Sequence, residues 1–366
     1  MIKNLVVIII VVGWSVAAYS NEIVVGPSQA VTSFSQAVAQ ARPFDTICIQ
    51  TGQYHPQEAI VIDKPLSIIA CGQVVVSAAP DRGLLEVRAD SVTITGLHLK
   101  NVGRSYTKDL AAIWVDYARY FKLSENRITD CFFAIFCTKA GNGQILNNKI
   151  TGNAVQEHSS ANAIHAWYCD SLQISGNLVE HHRDGIYLEF TDHSSITKNQ
   201  SRHNLRYGLH FMFSNHDEYL QNSFTDNGAG VAVMFSDHIS MRHNIFNENW
   251  GSAAYGLLLK EIYDSDIRFN TFRRNTVGIF AEGSNRVLFE SNVFRDNGWA
   301  LKMRGSSMDN DITGNNFIGN SFHVATDAGS NENRYHANYW DDYSGYDLNH
   351  DGKGDVPYRP VNLFHI

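Results

Sequence analysis

Ten asparagines return at an almost fixed interval along this chain, and that return leaves few folds open. They are Asn126, Asn148, Asn177, Asn199, Asn222, Asn244, Asn270, Asn292, Asn315 and Asn338, with steps of 22, 29, 22, 23, 22, 26, 22, 23 and 23. The core of the repeat is Asn-x-(Phe or aliphatic)-x-x-Asn, as in Asn222-Ser-Phe-Thr-Asp-Asn227, Asn270-Thr-Phe-Arg-Arg-Asn275 and Asn292-Val-Phe-Arg-Asp-Asn297. A column of small residues keeps the same time: Ala112, Ala134, Ala163, Gly185, Gly208, Gly230, Gly256, Gly278 and Ala300. After each, positions +1 and +3 are apolar (Ile186 and Leu188, Leu209 and Phe211, Val231 and Val233), whereas +2 and +4 are mixed. That alternation is the signature of a strand with one buried face. A leucine-rich repeat shares the period but needs spaced leucines and a helical return, and neither occurs. The expected fold is all-β: a single-domain, right-handed parallel β-helix with rungs of about 22 residues and asparagines stacked in its turns. Residues one period apart then lie over one another, roughly 4.8 Å apart.

Residues 1–20 combine an early lysine (Lys3), an apolar run over 5–12 and a small-residue exit at Ala17-Ala18-Tyr19-Ser20. They predict a secretory signal peptide and export to the periplasm. Residues 21–44 form the expected N-terminal cap, with Phe34, Ala37, Val38 and Ala41 at helical spacing to cover the open first rung. Rungs then fill 45–337, and 338–366 closes the far end. The two long steps imply insertions near 155–161 and 250–254, where protruding loops often carry recognition. A formal net charge of −8 argues against a nucleic-acid partner, which needs clustered Lys and Arg. The cysteine count is odd, at five, without a Cys-x-x-Cys. Cys48 and Cys71 lie one period apart, so a cross-rung bridge is open to them, as are buried free thiols.

Several stretches carry a resemblance. Asp45-Thr-Ile, Gly52-x-Tyr54, Ile62-Asp-Lys-Pro-Leu66, Arg183-Asp-Gly-Ile186, His210-Phe-Met212, Val233-Met-Phe-Ser236, Asn338-Tyr-Trp340, Asp347-Leu-Asn-His-Asp-Gly352 and Pro357-Tyr-Arg-Pro360 together resemble the NosD family. The resemblance spans nearly the whole mature chain. It implies a non-enzymatic periplasmic β-helix that supplies copper to nitrous-oxide reductase. The implied partners are a copper chaperone, the membrane subunit of an ABC transporter, and a separate ATPase. The chain holds no Gly-x-x-x-x-Gly-Lys-Ser/Thr loop, so ATP hydrolysis would belong to another polypeptide. Members of the family commonly continue past the Pro-Tyr-Arg-Pro block, which six residues follow here.

Three sets of residues stand out as candidate sites. The +4 column reads Trp167, Glu189, Met212, Met234, Lys260, Glu282 and Arg304. Two adjacent methionines on an otherwise polar face, with His210 two residues before Met212, suit Cu(I) through thioether and imidazole donors. The same pair would equally serve as a contact surface. A +8 column holds His193, His216 and His238 on three consecutive rungs, either a metal site or a structural turn ladder. Asp347, Asn349, Asp351 and Asp355, with Gly352 at the sharp turn, match the first half of a calcium loop, but position 12 is Tyr358 instead of an acid. The alternative is an Asx-rich end cap. A polysaccharide lyase or epimerase is the competing function, because exposed aromatics such as Trp114, Trp167, Tyr187 and Phe280 suit a sugar groove. Such chemistry needs grouped carboxylates. The outward acids Asp116, Glu189 and Glu282 are scattered instead, and Asp184 has Tyr207 one rung away.

Overall fold

A computed structural model describes residues 21–79, 81–105, 107–327 and 332–359, so the expected signal peptide lies outside the described residues. A typical rung is a strand of four to nine residues followed by two three-residue strands, as in Asp184–Glu189, Ser195–Thr197 and Gln200–Arg202. The first strands of the rungs form a 12-stranded sheet running from Ile60–Ile62 to Phe322–Thr326, and the remaining strands, including Thr46–Tyr54 and Ser67–Ser77 near the N-terminus, join a 25-stranded sheet. Neighbouring strands are parallel and in the predicted register: Ile186 pairs with Leu209, and Leu209 with Val231. The result is a parallel β-solenoid, as the repeat requires.

The inner face explains the pattern. Ile186, Leu188, Leu209, Phe211, Val231 and Val233 are fully buried. On the opposite wall Phe224, Phe246, Phe272, Phe294 and Phe317 stack at 4.5–5.5 Å between ring centroids. Stacked rings of one kind fill a tube without leaving gaps, and they do so only if the turns repeat. The small-residue column follows from the same crowding. A Cβ on Gly208, Gly256 or Gly278 would fall within 2.5–2.8 Å of a backbone carbonyl and about 3 Å from a Phe ring. Ala112 and Ala134 belong to rungs on which Ile128 and Ile150 stand in the ring column.

Both asparagine columns are hydrogen-bonded ladders inside the turns. Asn270 donates to the Met241 carbonyl (2.9 Å) and to Asn292 Oδ1 (3.1 Å). Its own Oδ1 accepts from the Asn244 backbone N–H (2.9 Å) and from Asn244 Nδ2 (3.0 Å). The second column runs from Asn204 to Asn320 and repeats these contacts. A turn that buries its backbone must find such partners, and a primary amide supplies donor and acceptor together.

The ends are closed differently from one another. The helix Phe34–Gln40, capped by Ser33, buries Phe34, Ala37 and Val38 as expected. The cap also contains a strand that its apolar content did not separate from the leader: Glu22–Val25 pairs in parallel with Thr46–Tyr54. Cys48 and Cys71 form a disulfide with their Cα atoms 5.5 Å apart, while Cys131, Cys137 and Cys169 are free and buried. Spacing alone left that bridge open. At the far end Trp340 stacks on Phe317 at 4.2 Å and continues the aromatic column, with Tyr358 against it at 4.8 Å. The insertions fall where the steps lengthen, as a 3-10 turn at Glu157–Ser159 and a loop that exposes Trp250. No helix among the described residues is long and apolar enough to cross a membrane.

Candidate functional site

The outer face of the 12-stranded sheet gathers the unusual chemistry. The +4 column runs Trp167, Glu189, Met212, Met234, Lys260 and Glu282 on successive strands, each paired with the next. Arg304 falls just past its strand and pairs with Asp327 at 2.6 Å. Met212 and Met234 are therefore direct neighbours, both half-buried. The Tyr187 hydroxyl lies 3.8 Å from the Met212 sulfur and 3.3 Å from Glu189 Oε2.

The +2 column beside it reads His165, Tyr187, His210. Tyr187 stands edge-on between the two imidazoles, with ring centroids 4.6 Å and 4.9 Å away. The His210 ring is 3% exposed, and neither of its nitrogens has a hydrogen-bond partner; Nε2 of His165 is also unpartnered. Burial, together with the cations of Arg206 and Arg183, pushes the His210 pKa down to about 3. Burial, Arg183 and His210 push His165 to about 3 as well. Both rings are thus neutral; His210 keeps its lone pair free, the form in which imidazole binds metals, whereas His165 Nδ1 accepts from the Asn162 amide at 3.4 Å.

A third column lies one residue before the small position, where Asp184 pairs with Tyr207 as expected. Asp184 is fully buried and accepts from the Tyr207 backbone N–H at 3.2 Å. Its carboxylate lies 3.4 Å from Arg183 Nε without hydrogen-bonding geometry. Burial raises its pKa against the pull of Arg183 and Arg206. Arg206 in turn covers the Tyr207 ring at 4.6 Å. Next to this cluster a groove of about 400 Å³ is lined by Trp114, Phe136, Lys139, His165, Trp167 and Glu189. His165, Arg183, Arg206 and Tyr207 were not singled out from sequence as site residues. Reading the +2 column as closely as the +4 column would have found His165, and the arginines share a short column of their own, each two residues before its glycine, with the Arg206 N–H donating to the Arg183 carbonyl at 2.9 Å.

Past the methionines the chain turns left-handed, and Tyr168, Phe190, Phe213 and Phe235 occupy that turn at φ of 50–55°. Their rings stack at 4.6–5.1 Å, and Tyr168, Phe213 and Phe235 are exposed. Bulky residues are uncommon at positive φ. An apolar ladder therefore borders the thioethers.

The other candidates sit elsewhere. His193, His216 and His238 stack in a turn of the solenoid. In the C-terminal loop, Asp347 accepts from the backbone N–H groups of Asp351 and Gly352, and Asn349 from that of Asp351. Asp351 accepts from the Lys353 N–H, and Asp355 from that of Leu348. Gly352 takes φ +80° at the sharp bend. A second acidic group, Asp341 and Asp342 around buried His323, belongs to the end closure: Asp341 holds the Gly319 N–H and Asp342 the Tyr358 hydroxyl.

Comparison with known proteins narrows the reading. The family model described as "Periplasmic copper-binding protein (NosD)" matches residues 146–345, which include every residue of the methionine and imidazole columns named above. The "Probable ABC transporter binding protein NosD" of Pseudomonas aeruginosa is 30% identical over 366 aligned positions, covering 92% of this chain and 84% of that protein. Its namesake from Stutzerimonas stutzeri is 28% identical, covering 85% of this chain and 75% of the relative. Among solved structures, the mannuronan C-5 epimerase A-module of Azotobacter vinelandii superposes with a TM-score of 0.70 at 12% identity, over 80% of this chain and 91% of that one. The Dettilon tailspike protein superposes with 0.62, also at 12% identity, over 81% and 68%. At such identity these two likenesses speak for the solenoid alone, whereas the relatives named as binding proteins extend over almost the full sequence. By its repeat, its motifs and those relatives, the chain belongs to the NosD family.

Proposed function

We propose that this chain is a periplasmic copper-handling protein that receives Cu(I) on its 12-stranded sheet and passes it on, without catalysing a reaction itself. The carrying observation is that Met212 and Met234 lie side by side, next to the neutral imidazole of His210. Two thioethers and an uncharged nitrogen form a soft donor set that favours Cu(I) over hard cations. Met212 and Met234 are the more accessible and meet the ion first, with His210 beside them, two residues earlier on the same strand as Met212. The Tyr168–Phe190–Phe213–Phe235 ladder, exposed at all but Phe190, borders the sulfurs and supplies a surface on which a copper chaperone docks. Delivery then proceeds with the membrane subunit of an ABC transporter, whose ATPase is a separate polypeptide, toward the nitrous-oxide reductase copper site.

The sugar-enzyme alternative finds less support. Asp184 is enclosed and Glu189 is tied to Tyr187, while the other carboxylates lining the groove, Asp109 and Asp116, are separated from Glu189 by the strands that carry Thr138 and Trp167. Cu(I) competition against a chromogenic chelator tests the copper reading. Met212→Leu/Met234→Leu keeps the side-chain volume and so the packing. Affinity should fall at least about tenfold if the two sulfurs are ligands, since each tenfold is only about 1.4 kcal/mol. Equal binding by the double variant would remove these methionines from the ligand set.

A further inference from the structure

We infer that His216, His238 and Asp237 form a second metal site, selective for a divalent transition ion and separate from the methionine face. The three side chains belong to one turn column and the column beside it, four residues further along the rung than the methionines. Their donor atoms all lie within 4.8 Å of one another. His193 and His216 are parallel, with centroids 5.2 Å apart and 4° between planes, as a merely structural ladder would be. His216 and His238 are closer, 4.6 Å, and tilted by 31°, so their nitrogens can converge.

Asp237 Oδ1 lies 2.6 Å from His238 Nδ1. An ion about 2.0–2.1 Å from each atom would take the place of the proton between them, which moves to Nε2, while the N···O distance opens to roughly 3 Å. A small tilt of His216 then supplies the third ligand. His216 and His238 are surface side chains whose rings can adjust at little cost, and His238 is 54% exposed. The field around them suits a dication. Asp170 holds the His193 ring at 3.0 Å and Asp192 lies one rung from it. Further along the same turn column, Arg286 is bound to Asp264 by two contacts of 2.7 and 2.8 Å. Imidazole and carboxylate donors favour Zn(II) and Cu(II), whereas the thioether pair favours Cu(I). The two sites therefore differ in place and in oxidation-state preference.

The test uses the mature chain without a polyhistidine tag, titrated with zinc chloride at pH 7.5 in a calorimeter. All three histidine positions have φ of 52–57°, a region that asparagine tolerates, so His216→Asn/His238→Asn keeps the turn. The wild type should bind with an affinity at least about tenfold above that of His216→Asn/His238→Asn, and Asp237→Asn should also weaken it. Met212→Leu/Met234→Leu should bind zinc as the wild type does, which separates this site from the copper face. No zinc binding by the wild type, or undiminished binding by the histidine variant, overturns the inference. A measurement on the wild type alone guards against misfolded variants. With one equivalent of Cu(II), its electron paramagnetic resonance spectrum should show nitrogen superhyperfine lines, and an oxygen-only spectrum overturns the inference.

Discussion

Lowering the pH should destabilise this protein through His210, and the size of that loss is set by its burial. In the unfolded chain a histidine titrates near 6.5, whereas in the fold His210 resists protonation until about 3. The sign follows from proton counting. Between these values the unfolded state binds the proton and the folded state does not, so stability is full above pH 6.5 and is lost as pH falls toward 3. At pH 5 the unfolded imidazole is almost wholly charged, and the lost stability is about 2 kcal/mol relative to pH 8. His165, held at about 3, and His182, held at about 4 mainly by burial, act in the same direction. The comparison is between wild type and His210→Gln, unfolded by urea at pH 8 and at pH 5. A glutamine side chain does not titrate in this range, so any constant cost of the substitution cancels in the difference. The wild type should lose about 2 kcal/mol more than the variant over that interval. Parallel loss in the two proteins would mean that the ring charges in place, and the neutral-donor basis for Cu(I) binding would fail with it.

Two further outcomes are expected. Asn270→Ala removes four hydrogen bonds and leaves the Asn244 backbone N–H without its acceptor inside a buried turn. It should cost about 3–5 kcal/mol in urea unfolding, with hydrogen exchange accelerating first on the rungs of Asn244 and Asn292, and a loss below about 1 kcal/mol would refute the ladder's role. For the loop Asp347 to Asp355, calcium titration should give a dissociation constant on the order of 10⁻⁴–10⁻³ M, weak because Tyr358 stands where a bidentate acid would be. Asp351→Ala should abolish it, and the absence of binding by the wild type would leave the loop as an end cap held by its own Asx turns.

What the sequence disclosed and what it withheld divide along a physical line. Columns such as Asn222 to Asn244 and Met212 to Met234 were legible because a solenoid turns sequence period into spatial adjacency, and the observed register follows it. The disulfide was not, because one-period spacing brings Cys48 and Cys71 together whether or not they are oxidised. The strand Glu22–Val25 was hidden because four residues without a repeat partner upstream carry no periodic signal. The Arg183, Asp184 and Arg206 cluster was missed for a different reason. Its members sit beside the small residue, where pairing skips a position and the alternation of faces breaks, so side-chain direction cannot be counted off.

The nearest-neighbour stacking of the turns has a consequence for length. A turn touches only the one before and the one after, so removing one whole period, from Asn244 through Phe269, would rejoin Asn222 to Asn270 with both asparagine columns still continuous. Such a shortened protein should fold, with its thioethers one step, roughly 4.8 Å, nearer the C-terminal closure. The molecule is in this sense a graduated rod, and the height of its methionine pair is written in whole turns.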